Sequence, residues 1–430
     1  MDTKAPALQA RSVLDRARRS RDARFDGRFF VGVTSTGVYC RPVCPAPSPR
    51  DAHVRYFPTA AAATDAGFRP CLRCRPEAAP GTPAWLGTSA EIAFASGFGS
   101  LRRFNDSFQS AYDRAPSALR RLRRKDAPPA RGEVMLRLAF RPPYDFAHHL
   151  AFLAARAIPG VERVDASGYA RTVALASGPA IVHVGATRGR NELSLRVQGA
   201  PATALLPLTT QARRVFDLTA DPATIVVALH RDPLLGPLVR RRPGLRLPGA
   251  WDPFECAVRA VVGQQVSVAA GRTLVSRLVT RTGTSLARPM DGLTHLFPGA
   301  VDLAGADLSG LGLTSARRRT LTALARAVAE DRLDLHGPAD EVRAALVALP
   351  GIGEWTAEYV ALRGLGEPDA FPAADLVLRR AAARGRRPLD PRALAARAEA
   401  WRPWRGYAVF HLWDAAAASP RRRRRRPHGE

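Results

Sequence analysis

The sequence predicts a multidomain chain: a small α+β domain, a short helix-turn-helix segment, a second α+β unit and an all-α domain. Its 430 residues suffice for about two to four domains, and 46% of them are hydrophobic, which provides for separate cores. Four of the five cysteines lie between Cys40 and Cys74, which marks a distinct N-terminal unit. Proline-rich stretches at 76–83 and 124–132 indicate linkers, and the arginines at 421–426 form a charged tail.

Hydrophobic periodicity distinguishes the two units that follow the second linker. Alternating apolar residues at 136–140 and 193–197 indicate strands that flank a helical stretch at 146–157, so this part is predicted to be α+β. From Asp252 onward the pattern is helical and rich in Ala, Leu and Arg. The predicted domains are 1–78, 79–126, 134–217 and 218–415, followed by a basic, disordered tail at 416–430.

Charge points to a polyanionic partner. The chain carries 65 Lys and Arg against 38 Asp and Glu, a formal net charge of +27. Neutralising phosphates releases counterions, so such a charge favours nucleic acid, although a solvated basic surface is the simpler alternative. No run of about 18 apolar residues could span a bilayer, and the N-terminus lacks a signal-peptide core, so we expect a cytoplasmic protein.

The cysteine spacing indicates a metal site. Cys40-x3-Cys44 and Cys71-x2-Cys74 form two close pairs separated by a loop, as in tetrahedral sites that hold one Zn²⁺ with four thiolates. Incidental buried cysteines are the simplest alternative. A purely structural zinc is the stronger competitor to a reactive one.

The residues around these cysteines resemble the N-terminal domain of the Ada alkylation-response proteins. The resemblance covers roughly residues 24–77, and its motifs are FVGVTSTGVYCRPVC at 30–44 and GFRPCLRCRP at 67–76. It implies that Cys40 is both a zinc ligand and the acceptor of a methyl group from a DNA phosphotriester. Zinc would keep the nucleophilic thiolate deprotonated.

A helix, a glycine-containing turn and a second helix are predicted for AEIAFASGFGSLRRFNDSFQ at 90–109, with Arg102 and Arg103 available for DNA. This stretch resembles the second helix-turn-helix of AraC-type regulators. Such regulators have two units, and only 75–89 remains for the first, so the segment is predicted to be truncated. An ordinary helical linker is an equal alternative.

A helix-hairpin-helix is predicted for LPGIGEWTAEY at 349–359. Gly351 and Gly353 permit a tight turn, and the amides before the next helix, including that of Thr356, form a sequence-independent phosphate site. A monovalent cation on the hairpin carbonyls is a second expectation.

Residues 134–415 resemble AlkA-type DNA-3-methyladenine glycosylases. The hairpin carries this resemblance together with RPPYDF at 141–146, GQQVSV at 263–268 and WRPWRGY at 401–407. It implies that Asp375 is the catalytic carboxylate and that the loop with Gln264 and Gln265 fills the gap left by a flipped nucleotide. It also implies a base pocket formed by Phe152, Trp355, Tyr359 and Trp413. From the residues alone, Asp375 is as well explained as a helix cap and the aromatics as core packing.

Together these motifs predict a DNA-repair fusion that acts on double-stranded DNA containing alkylated bases or methyl phosphotriesters. Trp355 stands where bifunctional relatives carry a lysine, and no cysteine follows Cys256 to hold an iron–sulfur cluster, so a monofunctional glycosylase is expected. We further expect a monomer associated with the nucleoid. The competing hypothesis is a methylation-activated transcriptional regulator whose glycosylase fold only binds DNA.

Overall fold

The computed structural model forms two compact units, Met1–Arg131 and Gly132–Glu430. The residues that it describes are 10–71, 73–74, 76, 133–383 and 387–418. The predicted helix-turn-helix at 79–126, with Arg102 and Arg103, lies outside these residues. None of the helices in the described ranges is long and apolar enough to cross a membrane.

The first unit is a small α+β domain, as predicted. Its helices and strands are α1 (Arg11–Ser20), β1 (Phe30–Val33), β2 (Val38–Cys40), β3 (Val54–Phe57), α2 (Ala60–Asp65) and β4 (Arg69–Pro70). The sheet has the order β3-β1-β2-β4, and β4 joins β2 in parallel. One face of the sheet carries the core, formed by Phe30, Tyr39, Phe57, Ala63 and Phe68.

The second unit begins with an antiparallel five-stranded sheet of order β5-β9-β8-β7-β6. Its elements are β5 (Glu133–Ala139), α3 (Phe146–Ala154), β6 (Glu162–Asp165), β7 (Gly168–Leu175), β8 (Gly178–Ala186), β9 (Glu192–Gln198) and α4 (Leu205–Val215). Both predicted strands are present, while the predicted helix ends at Ala154 instead of 157. The core of this layer continues to Leu218 and Trp251, beyond the boundary expected at 217.

Helices dominate the rest of the second unit. They are α5 (Pro222–Leu229), α6 (Leu235–Arg241), α7 (Pro253–Val262), α8 (Val268–Thr282), α9 (Ala300–Ala304), α10 (Ser315–Ala329), α11 (Ala339–Val347), α12 (Glu354–Arg363), α13 (Leu376–Ala381), α14 (Pro391–Ala398) and α15 (Arg405–Ala418). Their core is rich in Leu, Val and Ala and centres on α7, α8 and α10. The last helix runs into the segment predicted as a tail from 416.

The prediction of an all-α domain over 218–415 was wrong in one place. Strands β10 (Ser285–Met290) and β11 (Leu293–His295) form an antiparallel hairpin between α8 and α9. Its turn contains Asp291 and Gly292, both with positive φ, of 51° and 80°. An Asp-Gly pair is a strong hairpin signal because both turn positions favour left-handed backbone, and the composition argument overlooked it.

Candidate metal centre and candidate active site

The four clustered cysteines converge in the first unit. The Sγ atoms of Cys40, Cys44, Cys71 and Cys74 all lie within 4.8 Å of one another, and those of Cys44 and Cys71 are 3.9 Å apart. Four thiolates at about 2.3 Å from a tetrahedral Zn²⁺ stand about 3.8 Å from each other. The donor set and its spacing therefore fit one zinc ion.

The four sulfurs differ in their surroundings. Cys44 and Cys71 are buried, whereas Cys40 and Cys74 are partly exposed. Cys74 Sγ accepts a hydrogen bond from the Arg41 amide at 3.3 Å. Cys40 lines a cavity of about 700 Å³, which Cys74 does not reach. An external group that enters this cavity meets the Cys40 sulfur, not that of Cys74.

In the second unit, Asp375 has two structural partners besides the helix that it begins. It is the N-cap of α13, with Oδ1 accepting from the Leu378 amide at 2.9 Å. Trp355 Nε1 donates to Oδ2 at 2.9 Å, and Trp413 Nε1 donates to Oδ1 at 3.3 Å. The cap interpretation is thus correct, and the same carboxylate is fixed between two indole rings.

The predicted pocket aromatics form a continuous wall beside this carboxylate. Trp355 stacks on Tyr359 with ring centroids 5.3 Å apart and an interplanar angle of 21°. Tyr359 lies 6.3 Å from Trp413, which contacts Phe410 edge-on at 5.2 Å. Phe410 in turn lies 5.3 Å from Phe152. The four predicted rings are only partly buried, so they are not simple core residues.

Three side chains of this wall were missing from the prediction. Besides Phe410, two arginines close its far end: the Arg156 guanidinium lies 3.7 Å from the Phe152 ring centroid, and Arg363 Nη1 donates to the Tyr359 hydroxyl at 2.9 Å. Burial lowers the pKa of Arg156. Each arginine follows its aromatic by four residues on one helix face, a spacing that could have revealed both.

A buried ionic network holds the end of α3 where Arg156 lies. Arg259 donates to Glu162 at 2.5 Å and to the Arg156 carbonyl at 3.1 Å, while Arg171 donates to Glu255 at 2.7 Å. Although burial opposes ionisation, the charges of Arg259 and Arg171 lower the pKa of Glu162 to about 2. The network joins the sheet layer to α7 with matched charges.

The hairpin glycines have different reasons to be glycine. Gly351 has a φ of +82°, and a Cβ there would lie 2.1 Å from Thr320 Oγ1. Gly353, the exposed N-cap of α12, has a φ of −98°, and its Cβ would meet nothing within 4 Å. The fold therefore requires glycine at Gly351 but leaves Gly353 open to an approaching ligand.

The predicted DNA-contact residues near the hairpin divide into buried and exposed ones. Gln264 Nε2 donates to the Gly351 carbonyl and to Thr356 Oγ1, both at 3.1 Å. Thr356 is only 2% exposed, so its side chain supports the hairpin instead of facing outward. Gln265 is exposed and has a φ of +55°. Of the two glutamines, Gln265 is the one that faces solvent.

Sequence comparison relates both units to known repair proteins. The chain is 39% identical, over 93% of its length, to 95% of a Mycobacterium tuberculosis protein named "Probable bifunctional transcriptional activator/DNA repair enzyme AlkA". The chain belongs to the AlkA family of DNA-repair glycosylases. Within it, residues 14–77 match the metal-binding domain of Ada and residues 135–252 match the AlkA N-terminal domain.

Two further similarities concern the AlkA part. DNA-3-methyladenine glycosylase 2 of Escherichia coli is 37% identical and aligns over 99% of its length with 66% of this chain. The structure of Archaeoglobus fulgidus 3-methyladenine DNA-glycosylase has a TM-score of 0.58 at 21% identity, covering 66% of this chain and 99% of that one. The predicted fusion of an Ada-type metal-binding domain with an AlkA-type glycosylase is therefore confirmed.

Proposed function

We propose that this AlkA-family chain hydrolyses the glycosidic bond of alkylated purines, of the 3-methyladenine type, in double-stranded DNA. We also propose that Cys40 accepts methyl groups from DNA phosphotriesters. One observation carries the first proposal: a carboxylate, Asp375, is held by two indole N–H groups at the edge of an aromatic wall. The net charge of +27 supports a monomer that works on the nucleoid.

The glycosylase chemistry follows from the charge of the lesion. An alkylated purine is cationic, so electron-rich rings attract it once it is flipped out of the duplex. As the glycosidic bond breaks, its electron pair leaves with the base and positive charge develops on the sugar. Asp375 stabilises that charge and accepts a proton from the attacking water. Trp355 and Trp413 orient the carboxylate for both tasks.

Around this centre, the hairpin and its neighbouring loop would hold the duplex. The bare Gly353 backbone at the start of α12 allows a DNA phosphate to approach its amides. Gln264 ties the loop to the hairpin, which leaves Gln265 to occupy the gap of the flipped nucleotide.

The second chemistry takes place in the Ada-type unit. Zinc, when bound, keeps the thiols deprotonated at neutral pH. The Cys40 sulfur attacks the methyl carbon of a phosphotriester, a carbon–sulfur bond forms, and the carbon–oxygen bond breaks with its electron pair on the phosphate oxygen. The products are a thioether and an ordinary phosphodiester. The event is stoichiometric, and the loss of a negative charge beside the phosphates raises DNA affinity.

The direct test of the glycosylase is the release of free bases. Purified full-length chain is incubated with methylated duplex DNA, and the released bases are separated by chromatography. We expect 3-methyladenine to appear with turnover. Intact alkylated DNA after prolonged incubation, with the protein bound, would favour a DNA-binding regulator instead.

Replacing both indoles by phenylalanine should separate carboxylate orientation from stacking. Trp355→Phe and Trp413→Phe keep an aromatic ring but remove the donors to Asp375. Because hydrogen bonds to charged groups contribute about 1.5–3 kcal/mol, each variant should lower kcat about tenfold or more. Single-turnover excision measures this, with Trp404→Phe, a buried tryptophan of the same unit, as control. An unchanged kcat in both site variants would refute the orienting role.

The two glutamines should respond differently to alanine. Gln265→Ala should lower excision about tenfold at unchanged stability, since it removes a side chain that compensates part of the few kcal/mol of base unstacking. Gln264→Ala should lower the melting temperature, because it breaks the bonds to Gly351 and Thr356. Thermal unfolding and excision rates on the same preparations test both. Equal loss of stability in the two variants would contradict the division.

A regulatory role remains the second candidate, because the Mycobacterium tuberculosis relative is named a transcriptional activator. Its alignment extends over 472 positions, whereas this chain has 430 residues, so the relative has segments that this chain lacks. This supports a shortened reader.

We expect the region 75–126 to bind no specific promoter by itself. One helix-turn-helix unit should not supply the usual gap of about 4–10 kcal/mol between specific and non-specific binding. The arginines at 421–426 would add only salt-sensitive, sequence-independent affinity. Footprinting of the Cys40-methylated chain on its own upstream DNA provides the test. A discrete protected site that survives competitor DNA would instead support the activator.

A further inference from the structure

The cavity beside Cys40 is far larger than a methyl group requires. Its volume is about 700 Å³, whereas a group the size of one water molecule occupies about 30 Å³. It lies within the first unit, between the outer face of the sheet and the segment 41–49. A site that only received methyl would leave most of this space unused.

The floor of the cavity is apolar because of the strand register. Val31 pairs with Cys40 and Val33 pairs with Val38, so these four side chains point to the same face of the sheet. The domain core occupies the opposite face. Pro47, Pro49 and Pro70 add further apolar lining. The Cys40 sulfur therefore lies at the edge of an apolar surface.

Two arginines of α1 fix the wall opposite the sheet. Arg18 donates to the Pro49 carbonyl at 3.4 Å, and Arg21 donates to the Ala46 carbonyl at 2.6 Å and to Ser48 Oγ at 3.4 Å. These bonds hold the segment 46–49 to the helix. The cavity is thus a defined feature of the domain, with basic groups at its rim that suit a phosphate.

We propose that this cavity receives the carbon chain of phosphotriesters whose alkyl group is longer than methyl, so that Cys40 accepts primary alkyl groups such as n-butyl. The inference rests on the proposed methyl-acceptor function of Cys40. The sulfur bonds to the first carbon of the chain, the bond from that carbon to the phosphate oxygen breaks, and the electron pair remains on the phosphodiester. No oxidant or additional proton is needed.

The apolar floor supplies the selectivity. Each CH₂ buried on Val31, Val33 and Val38 strengthens binding about fourfold. Longer chains react more slowly at the first carbon for steric reasons, so the rate alone would understate the contribution of the cavity. Binding of a group that cannot be transferred separates the two effects.

The test uses the zinc-loaded full-length chain and duplexes that carry one methyl or one n-butyl phosphotriester. Intact-mass spectrometry and peptide mapping should find either group on Cys40. In parallel, duplexes with a methylphosphonate or an n-butylphosphonate, whose carbon–phosphorus bond prevents transfer, report binding alone. The butyl duplex should bind about tenfold or more tighter than the methyl duplex.

A variant that fills the cavity completes the design. Val33→Phe should retain methyl transfer and zinc content but lower the butyl-to-methyl ratio at least about tenfold in both assays. Val38→Leu is a milder variant in case Val33→Phe loses zinc, and it should lower the ratio in the same direction. Val227→Phe, at a valine of the second unit that is 66% exposed, is the matched control and should leave the ratio unchanged.

The outcomes are distinct. Methyl transfer without butyl transfer, and equal phosphonate affinities, would overturn the inference and leave the methyl-acceptor proposal intact. Absence of both transfers would overturn the methyl-acceptor proposal itself. Butyl transfer with a ratio that neither cavity variant changes would show that the chain lies elsewhere.

Discussion

Asp375→Asn is expected to lower the release of 3-methyladenine at least about a hundredfold while leaving DNA affinity nearly unchanged. The substitution is almost isosteric, and asparagine is as good an N-cap as aspartate, so α13 keeps the bond from the Leu378 amide. What disappears is the negative charge that the sugar cation requires in the transition state. Loss of one preorganised electrostatic group typically costs about 10²–10³ in kcat.

The chain offers a matched control for this variant. Asp390 caps α14 through the amides of Arg392 and Ala393, as Asp375 caps α13, but no indole donates to it among the described contacts. Asp390→Asn should therefore keep both stability and excision. Single-turnover excision and binding to an abasic-site duplex distinguish the two positions. Undiminished excision by Asp375→Asn would remove Asp375 from the mechanism.

The sequence located this site better than it described it. Trp355 and Tyr359 are four residues apart on one predicted helix, so their common face followed from helical spacing. The convergence of Trp355 and Trp413 on Asp375 depends on tertiary packing between α12, α13 and α15, which no local pattern encodes. The sequence arguments treated a helix cap and a catalytic carboxylate as alternatives, yet the geometry at Asp375 satisfies the first and permits the second.

Errors arose where a local rule was outweighed by composition or by packing. The Asp291-Gly292 turn signal was present, but the surrounding helical composition concealed the β10–β11 hairpin. Thr356 was predicted to contact DNA from its place in the motif, but its side chain is buried and accepts from Gln264. Burial of a polar group with a partner is a property of the folded core, which the motif alone does not reveal.

The metal site illustrates the opposite case, in which spacing was sufficient. Two short Cys-x-Cys spacings restrict each pair to one turn, and the β2–β4 pairing then brings the pairs together. Sequence could not show that Cys40 lines a cavity while Cys74 does not. That difference depends on the strand register and on the arginines of α1.

Cys40→Ser should abolish methyl uptake from phosphotriesters and weaken zinc binding, while base release by the second unit stays within about twofold of the original chain. A serine hydroxyl is a poorer zinc ligand than thiolate and a far weaker nucleophile at neutral pH. Metal analysis, intact-mass spectrometry after incubation with methylated DNA, and excision assays on one preparation test the three statements together.

Cys256→Ser is the matched control, because Cys256 is the cysteine that lies in the second unit. It is buried in α7, and burial raises the pKa of its thiol to about 11, which makes it a poor nucleophile. This variant should retain zinc and methyl uptake, although a buried hydroxyl there can lower stability. Methyl uptake that survives in Cys40→Ser, or a parallel loss of base release, would contradict the division of the two chemistries between the two units.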